Sequence, residues 1–159
     1  YTKGVALGEY TATQMAAGDT IFPDHEVSIA NVPLLMQQTQ KTIDVQKAHP
    51  VEIAAKFHKY FIYLHPFPDG NGRLGRLFSN FILAKFNQPI IIITAAKKQK
   101  YIDALKAAHK HDDLDIISAF FINTAIARMK DELAQIEMDA GKNIKTDDGK
   151  KNRGPLFMF

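Results

Sequence analysis

Cysteine is absent from the chain. That removes disulfides, thiolate metal sites and thiol nucleophiles at once. No apolar run reaches the roughly 20 residues a transmembrane helix needs, no charged-then-apolar leader opens the sequence, and no internal repeat is visible. The chain is therefore expected to be soluble and cytoplasmic, with no membrane partner. Excess charge of one sign is also scarce. The formal net charge is +3 and the isoelectric point is near 9.0. This suits a phosphate-bearing ligand, but no recognition-helix or stacking-aromatic pattern accompanies the lysines, so no nucleic-acid partner is expected. The first residue is Tyr1 rather than Met. The chain is expected to be a piece of a longer protein, with targeting or regulatory segments outside it.

What is present is enough apolar material for one domain. Hydrophobic residues make up 46% of the 159 positions, which supplies a real core at this length. The stretch 10–22, YTATQMAAGDTIF, alternates weakly around Gly18-Asp19 and predicts a short hairpin. Val27 to Gln40 predicts a helix, with Pro33 as a candidate for its true start. Residues 50–64, PVEIAAKFHKYFIYL, predict a helix with Pro50 in its first turn. It is apolar on nearly every side, the mark of a helix buried mid-domain. Pro66 disfavours helical geometry at His65 and should stop it. After a loop at 66–72, Leu74, Leu77, Phe78, Phe81 and Ile82 recur at helical spacing, with Arg73, Arg76 and Asn80 on another face. IIII at 90–93 reads as a short extended segment, and 95–109 and 114–138 as two more helices. The polar stretch from 139 reads as a linker or tail, giving a catalytic domain at 10–138 and a tail at 139–159. The fold class is mostly α, with one hairpin near the start.

The chemistry gathers at 65–76, HPFPDGNGRLGR. Gly70 and Gly72 allow successive N–H groups to face one concavity. A helix starting directly after adds free N–H groups and the positive end of its dipole. Arg73 and Arg76 add forked cations suited to phosphate oxygens. A lone carboxylate beside such a nest, Asp69, is placed as Mg²⁺ ligands usually are. His65, at the end of the buried helix, is a candidate proton acceptor. Taken singly, these are ordinary turn dipeptides, a capping histidine and surface arginines. Together they imply transfer of a phosphorus-centred group. His58, seven residues before His65 on the same helix face, reads as a packed core residue, and His25, His49, His109 and His111 have no metal-ligand spacing.

The pattern His-x-Phe-x-(Asp/Glu)-Gly-Asn-Gly-Arg-x-x-Arg is filled at every position by His65, Phe67, Asp69, Gly70, Asn71, Gly72, Arg73 and Arg76. In this the chain resembles Fic domains. Residues 49–67 resemble the family's central helix, 100–109 the segment that walls its adenine pocket, and 12–27 its flap. About residues 10–128 are Fic-like. The resemblance implies a Fic-type helical bundle and protein adenylylation, in which AMP passes from ATP to a Ser, Thr or Tyr hydroxyl and pyrophosphate is released. It implies His65 as general base, Asp69 as the Mg²⁺ ligand, and Gly70, Asn71 and Gly72 as the cradle of the α- and β-phosphates. Arg73 is then a phosphate-binding arginine and Arg76 the one that orients the γ-phosphate. Phe67 anchors the loop. Tyr101 is carried as an adenine contact beside its reading as a core tyrosine. His109 stands where relatives often have a polar adenine contact such as Asn. The partners implied are ATP and a target protein docked on the flap hairpin.

Other readings stay open. Relatives also remove AMP or transfer UMP, phosphocholine or phosphate, and a nucleotide-binding regulatory module is a further alternative. The intact glycine loop, His65 and Arg76 favour AMP transfer. Many relatives carry an inhibitory helix, (Ser/Thr)-x-x-x-Glu-(Gly/Asn), whose Glu pairs with the second motif arginine. None of Glu9, Glu26, Glu52, Glu132 or Glu137 stands in that pattern. Such a helix is expected from a missing N-terminal segment or from a separate antitoxin-like protein.

Overall fold

The computed structural model describes residues 8–151, with side-chain surroundings through residue 140. The chain divides into two compact units, Tyr1–Ala125 and Ile126–Phe159. Among the described residues the elements run β1 (Ala16–Ala17), β2 (Thr20–Ile21), α1 (His25–Val45), α2 (Pro50–Leu64), α3 (Asn71–Lys85), a 3₁₀ turn (Ala95–Lys97), α4 (Lys98–Lys110) and α5 (Leu114–Lys151). This is the expected mostly helical architecture with a small hairpin. No helix among the described residues is long and apolar enough to cross a membrane.

α2 is the axis of the first unit. His49 and Glu52 close a capping box at its start, with Pro50 in its first turn; each side chain takes a backbone N–H that the helix leaves unpaired. Ten of its fifteen residues are buried, which is why α1, α3 and α4 can all pack on it. Its apolar residues join Ile82, Leu83, Leu105, Ile117 and Phe121 in one core. α2 stops at His65, whose φ of 46° and ψ of 53° are left-handed; Pro66 closes the α-region to it.

Several expectations need correcting. Pro33 does not start α1 but lies inside it. The N-cap is Asp24, well upstream, which accepts from the Glu26 N–H at 3.0 Å. Proline has no N–H to give the preceding turn, so α1 continues past it without that one bond. On α3, Leu77 and Phe81 face solvent at 64% and 70% exposure, while Ile82 and Leu83 are buried. The inward stripe is therefore narrower than the apolar spacing suggests. The segment 90–93 pairs with no strand among the described residues. Asn80 holds it instead, taking the Ile91 N–H at 2.7 Å and donating to its carbonyl at 2.9 Å. The polar stretch from 139, expected as a linker, is helical to Lys151. Residues 155–159, PLFMF, lie outside the described residues.

α3 meets α2 at unusually close range. A Cβ on Gly75 would lie 3.1 Å from Ile62 Cδ1 and 3.2 Å from the His58 ring, so any side chain here would need those neighbours to give by a few tenths of an ångström. His58 is fully buried, with Nε2 2.7 Å from the Tyr101 hydroxyl and Nδ1 3.2 Å from Ser79 Oγ. The other buried polar side chain on α2 is Lys59, whose Nζ sits 2.6 Å from Asp112. That contact holds the exposed Asp112 carboxyl below its usual range and gives the buried ammonium the partner it needs.

Burial drives the His58 pKa from 6.5 down to about 4. Between those values the unfolded chain takes a proton that the folded chain refuses, so stability is lost as pH falls. The loss should reach about 2 kcal/mol between about pH 7.5 and pH 5. Urea unfolding across that window should show it, and His58→Asn should flatten the slope. An equal slope in that variant would place the effect elsewhere.

Candidate active site

His65 ends α2 in a left-handed backbone. Two contacts fix the ring, and a third holds the backbone of the residue after it. Nδ1 lies 3.2 Å from the Ile62 carbonyl, a partner that can only accept, so Nδ1 carries the proton and Nε2 keeps its lone pair. One face stacks on Phe22 at 3.8 Å between ring centroids and 15° between planes. The next residue, Pro66, accepts the Thr11 N–H at 2.8 Å. Burial lowers the His65 pKa, partly opposed by the Ile62 carbonyl. The ring is therefore neutral at neutral pH, with an available base nitrogen.

The loop after His65 is closed by one side chain. Asn71 is buried; its Oδ1 takes the Phe67 N–H at 3.0 Å and its Nδ2 donates to the Phe67 carbonyl at 2.6 Å. Phe67 packs against the core and stacks on Tyr10 at 5.3 Å. Gly70 then takes φ 87° and serves as the N-cap of α3, a conformation that strains any residue with a Cβ. It offers no side-chain cap, so the first N–H groups of α3 remain for an anion. Since the Asn71 amide is occupied by Phe67, Asn71 can serve a ligand through its main-chain N–H, while its side chain shapes the loop.

The charged groups flank this opening. Asp69 accepts from the Gly70 N–H at 2.6 Å and from Arg73 Nη2 at 3.2 Å. Both side chains are largely exposed, so this ion pair contributes little to stability and yields readily to a ligand. Arg76 is half-buried, its guanidinium folded over Gly72, where a Cβ would stand 3.4 Å from Nη1. Its positive charge partly opposes the rise that burial gives the Tyr101 hydroxyl pKa. Among the described residues no carboxylate forms an ion pair with Arg76. A site with a neutral histidine, an anion-binding helix start and two arginines thus lies around one turn of chain.

The comparisons agree with this geometry. The model of the Fic/DOC family matches residues 2–83. The chain belongs to the Fic/DOC family. It is 33% identical over 108 residues to the protein adenylyltransferase Fic of Culex quinquefasciatus, covering 66% of this chain and 21% of that protein. It is 28% identical over 142 residues to a Fido domain-containing protein of Dictyostelium discoideum, covering 86% of this chain and 99% of that one. A Fic-domain-containing signalling protein from Bacteroides thetaiotaomicron superposes with a TM-score of 0.73 at 25% identity, over 79% of this chain and 53% of that one. The chain spans about a fifth of the length of the curated adenylyltransferases it matches.

Of the residues singled out in the sequence, His65, Asp69, Gly70, Asn71, Gly72, Arg73 and Arg76 occupy one loop and the helix start behind it. Tyr101 is different. It is 6% exposed, and its hydroxyl lies 2.7 Å from His58 Nε2, the surroundings of a core tyrosine. His109 is also turned inward. Its ring nitrogens lie 2.8 Å from the Leu105 carbonyl and 3.0 Å from that of Lys59, and it stacks on Tyr63 at 5.2 Å. Its contacts tie α4 to α2. The residues that sequence reasoning missed are Tyr10, Thr11 and Phe22, which brace the loop from the hairpin segment. Of these, only Phe22, an aromatic closing a predicted hairpin, carried a visible signal.

The Asn71 clamp gives a direct test. Asn71→Ala leaves both polar groups of Phe67 without their partner and should cost about 2–3 kcal/mol. Urea denaturation measures it. A loss under about 0.5 kcal/mol, the scale of a neutral surface change, would mean that the loop closes without the clamp.

Proposed function

We propose that the chain is a protein adenylyltransferase, transferring AMP from ATP to a Ser, Thr or Tyr hydroxyl of a target protein and releasing pyrophosphate. The observation that carries this reading is the Ile62 carbonyl set against His65 Nδ1, which assigns the proton to that nitrogen. Nδ1 is committed to Ile62, and Nε2 is left as a base beside an anion-binding loop. In the proposed step His65 Nε2 accepts the hydroxyl proton as the oxygen attacks the α-phosphorus. The P–O bond to the β-phosphate breaks, and its electron pair leaves with pyrophosphate. The α3 N–H groups and Arg73 hold phosphate oxygens, and Arg76 holds the terminal phosphate. The name borne by the Culex relative, protein adenylyltransferase, supports AMP over other groups.

Mg²⁺ fits as a companion of the nucleotide. Among the described residues no group of three or more His, Cys, Asp or Glu could hold a metal. Asp69 instead offers a single carboxylate at the loop's lip, which matches an ion that takes one or two carboxylates and completes its shell with phosphate oxygens and water. Bound with ATP, the ion would neutralise phosphate charge. Asp69 must then loosen its contact with Arg73, and the same movement frees that guanidinium for phosphate.

His65→Ala should lower AMP transfer by ~10²–10⁴-fold while nucleotide affinity holds, because the loop and arginines remain. Asp69→Ala should instead weaken Mg²⁺-dependent ATP binding. Intact-mass analysis with ATP and Mg²⁺, paired with calorimetry, reads both. A gain in mass of a phosphate instead of AMP would sink the proposed reaction, and near wild-type transfer by His65→Ala would remove the base.

The flap supplies a docking edge for the target. β1 and β2 pair Ala16 with Ile21 and Ala17 with Thr20. The hairpin is closed at its base by the Phe22 N–H on the Met15 carbonyl at 3.0 Å and by Gln14 Nε2 on the Phe22 carbonyl at 2.9 Å. Ile21 is 72% exposed and stands one residue from the ring that stacks on His65. An extended target segment pairing here would be referenced directly to the base. Ile21→Ser should reduce target modification several-fold, on the scale of one lost apolar contact, and leave ATP affinity unchanged. Equal loss of both would assign Ile21 to the nucleotide site.

A further inference from the structure

The second compact unit, taken by itself, carries an apolar seam that the proposed reaction does not use. On α5 the stripe buried in the first unit is Ile117, Phe121 and Ala125. Continued along the helix at the same spacing, it reaches Arg128, Glu132 and Gln135 and turns polar. A neighbouring stripe stays apolar instead. Ile126, Met129, Leu133, Ile136 and Ala140 follow one another at alternating steps of three and four residues. Every residue from Met129 to Ala140 is exposed, Leu133 at 61% and Ile136 at 65%.

The spacing says what kind of surface covers this seam. Alternating steps of three and four give a period of about 3.5 residues, the repeat that keeps an apolar seam facing one other helix. A globular core takes a wider stripe at a period of about 3.6. In heptad terms Ile126, Leu133 and Ala140 stand at a, and Met129 and Ile136 at d. The flanking positions are then Glu132 and Asp139 at g, with Lys130 and Glu137 at e. Three carboxylates thus border the seam against one ammonium. Glu132 is met by Arg128 Nε at 2.6 Å and Asp139 by Gln135 Nε2 at 3.0 Å, both exposed contacts within the helix. Such contacts contribute little and yield readily to a partner.

The flanks also say which helix fits. In a parallel pair each g position faces an e position five residues on in the other helix, so two copies of this chain would set Glu132 against Glu137 on both sides. In an antiparallel pair g faces g, and the rim of Glu132 and Asp139 would meet itself. Either way self-pairing brings carboxylates together, and like charges across an interface reject that partner. We infer that the α5 seam docks an amphipathic helix of a partner protein, with an apolar a/d stripe and basic flanks, as one strand of a short coiled coil.

The test is calorimetry of the full chain with two synthetic helical peptides of about three heptads, each with Ile at a and Leu at d. One carries Lys at every e and g position, the other Glu. The Lys peptide should bind one to one and about tenfold more tightly than the Glu peptide, the scale of a few exposed charge pairs. The whole chain has a net charge of +3, so attraction to its overall charge would favour the Glu peptide instead. Equal binding, tighter binding of the Glu peptide, or binding of neither overturns the inference. Leu133→Asp, at an exposed position that the fold of the first unit does not use, should abolish Lys-peptide binding, with far-UV circular dichroism showing that the protein is folded. The double change Glu132→Lys and Glu137→Lys should reverse the preference toward the Glu peptide. A preference that either variant leaves intact places the contact elsewhere and refutes the seam. Sedimentation equilibrium of the chain alone should show a monomer. A dimer that Leu133→Asp dissolves would give the seam to a second copy of the chain and refute the basic partner.

Discussion

Gly75 brings α3 against the imidazole of His58, and the two ends of the site take their spacing from that contact. His65 lies two turns along α2 from His58, and Arg76 follows Gly75 on α3. A helix rises about 1.5 Å per residue, so the two functional side chains sit at known displacements from one shared point. A Cβ at position 75 would meet Ile62 and His58 at 3.1–3.2 Å, so those side chains or the helices that carry them would have to shift by a few tenths of an ångström. Interiors are dense and transmit such displacements. Loss of the glycine would therefore alter the distance between base and cation as well as the packing.

Two asparagines of α3 perform the same task, one at its first residue and one in its second half. Asn71 closes on the N–H and carbonyl of Phe67, and Asn80 on the N–H and carbonyl of Ile91. An amide side chain has one accepting and one donating end, so it mimics a strand partner for a single residue. This lets irregular segments run against the core without unpaired backbone groups. It explains why 90–93 can be rich in isoleucine, extended and partly buried without belonging to a sheet. It also explains how the loop at 66–70 takes a defined shape from its own contacts.

Much of this was legible in the sequence. The bounds of α2 follow from Pro50 at one end and Pro66 at the other, and the loop's chemistry follows from adjacent residues that no folding could separate. What could not be read depends on distant contacts. The alternation of Leu74 through Ile82 gave no way to tell that Leu77 and Phe81 face solvent, because periodicity shows a stripe and not its width. Pro33 is a strong breaker on paper, but it costs a helix only one bond when the flanking turns are secured by packing. Tyr101 was ambiguous between a ligand wall and the core. Only the presence of His58, 43 positions away in the chain, decides it. The brace from Tyr10, Thr11 and Phe22 is likewise a tertiary fact, since nothing local to those residues announces a histidine partner.

That brace bears on how the flap and the base could act together. Thr11 holds Pro66, Tyr10 stacks on Phe67, and Phe22 stacks on His65. The hairpin is therefore attached to the loop on both sides of its turn. Displacing it would remove the apolar cover from one face of the imidazole. Water reaching that face would relieve the desolvation that holds the His65 pKa down, and protonation would then compete with base function as pH falls toward the ordinary histidine range. On the proposed reading, a target segment laid along the hairpin would keep Phe22 seated on the ring. The surface that receives the hydroxyl would thereby help to keep its acceptor neutral.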